Sequence, residues 1–561
     1  MSSNTSTTHS APHILGTTQA HDVNIDSKPG KYRREFNDLV ARPGFVLSLA
    51  VIALLCYGFT MMNPVFHNDD TGVAFYYQHG GLLAQGRFGA VSLQFLFPIA
   101  VYHPFLTHFI TAVLMVLASL LFCALFQGAS GQRFGSAALL AFSTGFMSFP
   151  LIADIWPFQS IMPFVALSFC LVAIAAMTCD LEVCSNRATR FVWTTLLLTL
   201  VCAVYESMIA VFACAAILAI LLRDFRAPQG QRTQRHLLKT TLDYFGPLSA
   251  GIAIWFVVSR AIIFALELPV NYALNVPLWQ SLGFIGGIRN LFGMYLMNYV
   301  LKGMWNLSIF VYVVACIGAL VFAISSVRKT GYLRAAFIVA LPAATIALSV
   351  IMGTAAPYRT SQAHWLFVGI AFMFVVQRLS EVKRIVLRTA ALVLVGSVLF
   401  GQVRELNQWF YLNWMRHARE IVILEQVAFR LTTEFEPGLP VWFTGNLPLN
   451  PDVASAIAIP DGLRWNVATA VIDVLGADIE ELPRSRRRTE SSIVRFTEFG
   501  MRVDFNNLGA SGDLHFALRK IGHYFEVPSL EMLMGIDVSQ MPRWPHPDSV
   551  AQFNDVIVVN F

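Results

Sequence analysis

The chain contains few charged residues, and this scarcity excludes most soluble folds. Asp, Glu, Lys and Arg make up 13% of its 561 residues, whereas soluble domains contain about 25%. Hydrophobic residues account for 56%, and the mean hydropathy is +0.59. A soluble fold of this size could not cover its surface with so few polar side chains. We therefore predict a polytopic membrane protein. The net charge of +5 is small and argues against nucleic-acid binding.

Motifs that bind nucleotides or metal ions are also missing. The sequence contains no GxGxxG, no P-loop and no HExxH, which argues against dinucleotide-binding, P-loop and zinc-protease chemistry. Its eight cysteines form no CxxC, and none follows Cys316. We interpret them as apolar packing residues rather than as redox or metal-binding groups.

Long apolar runs are what the sequence has instead. Eleven occur, near residues 43–62, 105–127, 136–152, 157–178, 191–205, 208–222, 242–265, 305–327, 335–353, 363–377 and 389–409. The stretch 191–222 would be roughly 48 Å long as a single helix, which is too long for a hydrocarbon core of about 30 Å. Because arginines flank both of its ends, we predict two spans that meet at Glu206. The same argument places Asp154 in a turn on the same side.

Basic residues predict the orientation of these spans. Segments on one side hold 20 Lys and Arg, whereas the short loops on the other side hold 4. The positive-inside rule places the first side in the cytoplasm. The N-terminus is then cytoplasmic and the C-terminus lies outside.

Three regions follow from this pattern. We predict a disordered, basic N-terminus at 1–42, a transmembrane domain at 43–410, and a small C-terminal α/β or α+β domain at 411–561. Two outer loops of the transmembrane domain are long. They comprise residues 63–104 and residues 266–304, the second with an interfacial helix near 278–300.

The C-terminal domain mixes two kinds of pattern. Short β-like runs occur at Val441-Trp442-Phe443 and at Val556–Asn560, and helical stretches occur at 411–431 and 514–524. This alternation predicts a small folded domain outside the membrane.

Acidic residues at the outer membrane surface are the main candidates for chemistry, because carboxylates there are costly and tend to be functional. They are Asp69, Asp70, Asp154, Glu206 and Glu267. The adjacent pair follows the first span directly, in a turn that Pro64 starts by ending the helix. Two neighbouring carboxylates repel each other, which favours proton uptake by one of them and suits a base for a sugar hydroxyl. The alternative is that one aspartate caps the next helix.

A family resemblance rests on four short stretches. The apolar helix, Asp69-Asp70 and the following Gln85-Gly86-Arg87-Phe88 resemble the GT-C glycosyltransferases, and more narrowly the Gtr type II family of bacterial and phage O-antigen glucosyltransferases. Tyr205-Glu206-Ser207, Pro357-Tyr358-Arg359 and the aromatic and arginine pattern of Asn407–Glu420 agree. The resemblance covers roughly residues 40–450. Glu206 departs from the family, which often has Gln there.

The resemblance implies a GT-C membrane fold in the bacterial inner membrane. Its activity would be transfer of a sugar, typically glucose, from an undecaprenyl-phosphate donor to O-antigen or a related polysaccharide on the periplasmic face. A donor synthase and a donor flippase would then be required. No cofactor is expected. A divalent metal ion held by His67, Asp69 and Asp70 is the alternative.

The resemblance also implies roles for individual residues. Asp69 is expected to be the catalytic base and Asp70 to orient it or to bind sugar hydroxyls, with the reverse assignment left open. Arg359 is the first candidate for binding the donor phosphate, because Arg can engage phosphate oxygens bidentately. Tyr358 and His67 are expected to position substrate or loops. Arg359 is equally well explained as a snorkelling interfacial residue.

Other charged residues have two interpretations each. Arg260 either contacts the phosphate or pairs with Glu267, and Lys302 either contacts the phosphate or, like Arg289, a lipid headgroup. Arg87 either braces the Asp pair or anchors its loop.

The last group of candidates lies further from the pair. Glu206 either binds donor hydroxyls or lies at a solvated hairpin tip. Asp154 positions substrate or its own loop. Trp156 beside it is interpreted as part of an interfacial aromatic belt, with stacking on a sugar as the alternative. The basic cluster Arg484–Arg488 contacts headgroups or an acidic glycan, or is a solvated loop.

Two other functions remain possible from the sequence. A flippase for lipid-linked sugars would have charges along a midplane pathway and paired repeats, and neither is found. A polysaccharide polymerase or ligase would consume pyrophosphate-linked oligosaccharides instead of a monophosphate-linked sugar.

Overall fold

The chain folds predominantly into helices. The computed structural model describes residues 30–65, 79–97, 103–131, 134–180, 186–226, 234–268, 283–289, 291, 307–352, 360–444, 515, 518–519 and 522–561. In chain order the helices are α1 (Lys31–Val40), α2 (Pro43–Met62), α3 (Gly80–Ala84), α4 (Phe88–Leu96), α5 (Pro104–Ser130), α6 (Ser136–Met147), α7 (Ile152–Ile155), α8 (Met162–Thr178), α9 (Arg187–Val204), α10 (Met208–Arg226), α11 (Gln234–Ala265), α12 (Leu307–Thr330), α13 (Tyr332–Thr345), α14 (Ala347–Met352), α15 (Gln362–Ser380), α16 (Ile385–Glu434) and α17 (Leu530–Leu533).

Eight of the described helices are long and apolar enough to cross a membrane: α2, α5, α9, α10, α11, α12, α15 and the first part of α16. Three shorter apolar helices, α6, α8 and α13, accompany them. Each of the eleven predicted runs therefore contains an apolar helix. The protein is a polytopic helical membrane protein, as the composition predicts.

The long apolar stretch 191–222 is broken where the sequence predicts. Helix α9 ends at Val204 and α10 begins at Met208, so Glu206 lies in the turn between them. The amide of Met208 donates to the carbonyl of Tyr205 at 3.1 Å, which closes this turn.

Proline and capping residues set several helix starts. Pro43 and Pro104 occupy the first positions of α2 and α5, where a missing N–H costs nothing. The Asn186 side chain accepts hydrogen bonds from the amides of Ala188 and Thr189 at the start of α9. Such a cap satisfies donors that the helix itself leaves unpaired.

The most buried helices pack through small residues and rings. An added Cβ at Gly369 of α15 would lie 2.8 Å from the carbonyl oxygen of Phe142 in α6. Only glycine permits this close approach of two backbones, as is common between membrane helices. Phe122, Phe142 and Phe146 then pack ring against ring beside the contact.

Other helices turn apolar side chains outward. In α12 and α16, only 11% of the most apolar window is buried within the protein. Phe310 and Val321 of α12 and Phe400 of α16 are exposed. These faces are suited to contact lipid acyl chains, since a soluble protein does not expose apolar surface of this extent.

The last apolar helix extends past the predicted end of the transmembrane domain. Helix α16 has 50 residues, or about 75 Å at 1.5 Å per residue, which is more than twice the hydrocarbon thickness. The predicted boundary at 410 falls inside this helix. Membrane and C-terminal regions therefore share one continuous element.

A three-stranded sheet packs on the far part of α16. Its strands are β1 (Val441–Thr444), β2 (Val550–Phe553) and β3 (Val556–Asn560) in the order β1-β3-β2, with β1 parallel and β2 antiparallel to β3. The two predicted strands are β1 and β3, whereas β2 was not predicted. Ile557 and Val559 join the cluster with Leu424 and Val427 of α16, and Val556 and Val558 join a second cluster. Both faces of β3 are thus covered.

The N-terminal segment is more ordered than predicted. Residues 31–40, expected to be disordered as part of 1–42, form α1, while 1–29 lie outside the described residues. The Tyr32 hydroxyl donates to the Asp180 carboxylate at 2.5 Å, and its ring leaves no room for a side chain at Gly128. Burial, followed by the charge of Asp180, raises the pKa of the Tyr32 hydroxyl. This anchored side chain explains why α1 is held against the membrane helices.

Two further predicted helices are only partly described. Residues 283–289 are helical within the predicted interfacial stretch 278–300, and only His515, Leu518 and Arg519 are helical within 514–524.

Candidate active site

An ion pair joins the turn at the start of α4 to the turn between α9 and α10. Arg87 donates from Nε and Nη2 to the two carboxylate oxygens of Glu206, at 3.1 and 2.9 Å. Its guanidinium also lies over the ring of Tyr205, 4.5 Å from the centroid. The side chains are only 15% and 21% exposed, so Glu206 is not the solvated tip that the sequence left open. A bidentate ion pair that is shielded from solvent fixes the relative orientation of the two side chains as well as balancing their charges.

Glycines on both sides of Arg87 permit this arrangement. Gly86 has φ +79°, and an added Cβ would lie 2.9 Å from Oγ of Ser259. The indole N–H of Trp255 donates to the Gly86 carbonyl at 2.9 Å. At Gly89, an added Cβ would lie 2.9 Å from the Ala203 carbonyl carbon. The Gly86–Gly89 turn is therefore pressed between α9 and α11.

The hairpin tip also contacts the start of α15. The Ser207 hydroxyl donates to Oε1 of Gln362 at 2.6 Å, and both side chains are buried. Gln362 follows Arg359 by three positions. Two of the four stretches that carry the family resemblance, those of Arg87 and Glu206, therefore meet at one end of the helices, beside the start of α15.

The fourth stretch packs against the end of α2. Asn407 donates from Nδ2 to the Leu55 carbonyl at 2.8 Å. Phe59, one turn further along α2, lies 6.0 Å from the Tyr411 ring and 6.2 Å from the Trp414 ring. The helix that leads to Asp69 is thus held by α16.

The turn after α7 completes this end of the protein. Gln159 donates from Nε2 to the carbonyl of Val65 at 3.2 Å, and Gln94 of α4 donates to the carbonyl of Ser160 at 2.8 Å. Val65 is the last described residue before Asp69. These bonds connect the end of α2 with the Arg87 region through one turn.

Several polar atoms buried at this end are left unpaired. Trp156 is fully buried, stacks on Tyr57 at 4.0 Å, and lies 5.7 Å from the His108 ring. Within the described part of the chain, Nε1 of Trp156, both ring nitrogens of His108 and Oε1 of Gln94 have no hydrogen-bond partner. Buried polar groups are rarely left unpaired, so these atoms require an explanation.

Comparison with known proteins decides the family. The family model described as Glucosyl transferase GtrII matches residues 58–376, more than half of the chain. The chain belongs to the GtrII glucosyltransferase family. This confirms the resemblance drawn from the four stretches, and it implies a glycosyltransferase. Neither a curated protein nor a solved structure matches the chain.

Several predicted site residues of this GtrII protein lie outside the described residues. They are His67, Asp69, Asp70, Lys302, Tyr358, Arg359 and the cluster Arg484–Arg488. Their roles remain predictions. Among the described residues, no group of three His, Cys, Asp or Glu side chains is placed to hold a metal ion, and the His67 candidate is not among them.

The structure corrects the expectation for Trp156 and bears out the position predicted for Asp154. Trp156 belongs to the core and not to a lipid-facing belt, because its ring is enclosed by Tyr57, His108 and Phe410. Asp154 lies in α7 in the predicted turn, but it is only 4% exposed. Hydropathy cannot distinguish a tryptophan at the lipid boundary from one inside a bundle.

Arg260 and Glu267 do not form the expected ion pair. Helix α11 ends at Ala265, and Glu267 lies in a turn with φ +51°, so the helical spacing that would align the two residues is lost. The Arg260 guanidinium instead lies over the Phe256 ring, 5.2 Å from its centroid.

Sequence reasoning missed the residues that organise this site. They are Gln94, His108, Gln159, Trp255 and Gln362. A usable signal existed for His108, Gln159 and Gln362, because each is a polar residue at or beside the start of an apolar run. Such residues are unfavourable toward lipid and tend to face the protein interior.

Proposed function

We propose that this GtrII protein transfers glucose from a polyprenyl-phosphate donor to a surface polysaccharide such as O-antigen. The observation that carries the proposal is the family match across 58–376, combined with the convergence of Arg87, Glu206 and Gln362 at one end of the helices. A lipid-linked donor fits a chain that has apolar helices and no nucleotide-binding motif. The fold would be of the GT-C type.

The chemistry proposed is a single displacement. The acceptor hydroxyl oxygen attacks C1 of glucose from the face opposite the phosphate, and the C1–O bond to phosphate breaks as the new C1–O bond forms. The hydroxyl proton passes to the carboxylate of Asp69, with Asp70 orienting the base. Polyprenyl phosphate leaves with the bonding electrons and needs no protonation. The configuration at C1 is inverted, and one base is sufficient, unlike in an inverting glycosidase.

Chain length supports placing this chemistry at the Arg87 end. Asp69 follows Val65 by four positions, which a chain spans in at most about 14 Å. Val65 is itself held by Gln159 at 3.2 Å. Arg359 precedes Gln362 by three positions, or at most about 11 Å of chain. We propose that Arg359 neutralises the charge that develops on the phosphate.

The unpaired buried atoms support a sugar subsite nearby. The indole N–H of Trp156 is a donor, Oε1 of Gln94 is an acceptor, and a neutral His108 offers one of each. Sugar hydroxyls both donate and accept, so they match this mixed set. We propose that these groups contact the glucosyl residue or the acceptor when substrate is bound.

The membrane side follows from charge. Segments at the α1 end of the helices carry the Lys and Arg excess, so the positive-inside rule places that end in the cytoplasm. The candidate active site and the C-terminal sheet would then face the periplasm of a bacterial inner membrane.

The proposal is tested by assaying the purified full-length protein in nanodiscs with polyprenyl-phosphate glucose and an acceptor polysaccharide. Asp69→Asn or Asp70→Asn is expected to reduce transfer by about 10²–10⁴-fold, as for loss of a general base. Glu381→Gln is the matched control, because Glu381 is exposed and pairs with Arg378 on the surface. Full activity in both aspartate variants would remove the assigned base. Transfer from UDP-glucose alone would contradict the lipid donor.

The same preparation distinguishes the other functions. In liposomes, movement of labelled donor across the bilayer without a new glycosidic bond would indicate a transporter. Consumption of pyrophosphate-linked oligosaccharides in place of the monophosphate donor would indicate a polymerase or ligase.

A further inference from the structure

A small cavity lies at the opposite end of α9 from the candidate active site. Its volume is about 70 Å³, room for more than one group of water size. It is formed by the first turn of α9 and the facing part of α11, and its lining residues are Arg187, Arg190, Phe191, Leu242, Asp243 and Pro247. Because Arg87 contacts the other end of α9 through Tyr205, this cavity belongs to a different membrane face.

Arg190 in this cavity is buried, and its only ion pair among the described residues is a long one. It is 4% exposed, and neither Nη1 nor Nη2 has a hydrogen-bond partner within the described part of the chain. The nearest carboxylate oxygen, Oδ1 of Asp243, is 3.9 Å from Nη2, which is too far for a hydrogen bond. That oxygen already accepts from Arg187 at 2.9 Å. Buried guanidinium nitrogens without acceptors are strongly unfavourable, so Nη1 and Nη2 need an acceptor that the described residues do not provide.

Neighbouring carboxylates of the described residues do not supply it. The next acidic side chain at this end, Asp180, accepts from the Tyr32 hydroxyl and forms an ion pair with Arg223 at 3.1 Å. In the described part of this region, Arg187, Arg190 and Arg223 therefore face two carboxylates, those of Asp243 and Asp180, which leaves one positive charge in excess. The charge balance calls for an anion.

The cavity rim is apolar and faces outward. Phe191 is 43% exposed and Leu242 is 58% exposed, and both lie on helices that are candidate membrane spans. An occupant that matches both the excess positive charge and the apolar rim has an anionic head group beside an apolar chain. Free phosphate would balance the charge but would not contact the apolar rim.

We propose that this cavity binds the phosphate group of an anionic phospholipid from the leaflet next to α1. Arg190 donates to the phosphate oxygens and Arg187 adds a second, more exposed cation. The acyl chains lie along Phe191 and Leu242. The site is separate from the proposed donor site and does not depend on the proposed transfer reaction.

The test uses the full-length protein, purified and delipidated in detergent. Native mass spectrometry measures binding of phosphatidylglycerol, phosphatidylcholine or inorganic phosphate. Phosphatidylglycerol is expected to bind most tightly. Arg190→Gln is expected to weaken it about five-fold, the effect of losing one cation near a lipid phosphate. The matched control Arg34→Gln removes an exposed charge of α1 on the same face and is expected to change it less than two-fold.

A second variant, with the opposite expected effect on lipid binding, distinguishes loss of the site from misfolding. Asp243→Asn removes the carboxylate that competes with the phosphate, so it is expected to tighten phosphatidylglycerol binding, which a general loss of structure cannot imitate. Unchanged binding in both Arg190→Gln and Asp243→Asn would overturn the site. Equal binding of inorganic phosphate and phosphatidylglycerol, both sensitive to Arg190→Gln, would overturn the assignment to lipid.

Discussion

The pairing of Arg87 with Glu206 makes a quantitative prediction. Arg87→Gln and Glu206→Gln each remove a charge from a pair with two hydrogen bonds of 3.1 and 2.9 Å. Hydrogen bonds to charged groups contribute roughly 1.5–3 kcal/mol. Because the side chains are 15% and 21% exposed, solvent screening lowers this value toward that of surface pairs. We expect each single variant to lower the free energy of unfolding by about 2 kcal/mol.

The decisive quantity is the coupling energy from a double-mutant cycle. Arg87→Gln, Glu206→Gln and the double variant are unfolded with SDS in mixed micelles, and tryptophan fluorescence reports the transition. We expect a coupling of about 1–2 kcal/mol, within the range for directly contacting residues. The loss of the Arg87 contact with the Tyr205 ring adds to the Arg87 variant alone and cancels in the cycle.

A second ion pair in the same protein serves as the control. Arg378 and Glu381 on α15 pair at 2.9 Å, but their side chains are 47% and 45% exposed. Their coupling is expected to be at most about 0.5 kcal/mol. If the Arg87–Glu206 cycle gave no larger coupling than this exposed pair, the shielded pair would not stabilise this end of the helices, and the argument from burial would be refuted.

Three further predictions concern stability. Gly86→Ala is expected to lower the free energy of unfolding in SDS by at least about 1 kcal/mol, because Gly86 has φ +79° and lies close to Ser259. Gly318→Ala, with open space around it, is the control, and equal effects of the two substitutions would contradict the prediction. Trp255→Phe should cost about 1 kcal/mol more than Trp156→Phe, since only the Trp255 indole has a partner; equal thermal shifts would count against this. The hydrogen bond from Arg430 lowers the pKa of Glu434. The Arg430–Glu434 pair therefore stabilises the fold above the ordinary Glu pKa of about 4.3, and this stabilisation is lost as the pH falls through the lowered pKa of Glu434. Unfolding of the C-terminal region should show this loss, and Glu434→Gln should abolish it; an acid dependence that persists in this variant would assign it to other groups.

Membrane character and most element positions could be read from the sequence because they are local properties. Apolar run length predicts helices whatever they pack against, and the excessive length of 191–222 required the break that the structure has at Glu206. Short β-like runs likewise predicted the strands at Val441 and Val556. The strand Val550–Phe553 was missed because it is short and has weak alternation.

The partners of charged and aromatic residues could not be read in the same way. Trp156 lies between two apolar runs, so hydropathy gave no sign that its ring would be enclosed by the protein rather than lie at the lipid boundary. Arg260 and Glu267 have helical spacing in sequence, but the helix ends between them. Each error arises where a helix end or a packing direction, and not composition, decides the outcome.

From its sequence alone, the protein is determined to be a bundle of apolar helices with a family signature, because hydrophobic length and short motifs are properties of neighbouring residues. Only the tertiary structure decides that Arg87 meets Glu206 across 119 positions of chain. It also decides that Arg190 is buried, with no hydrogen-bond partner for Nη1 or Nη2 among the described residues. Those outcomes depend on how distant helices pack, since that packing brings the groups together and excludes water from around them.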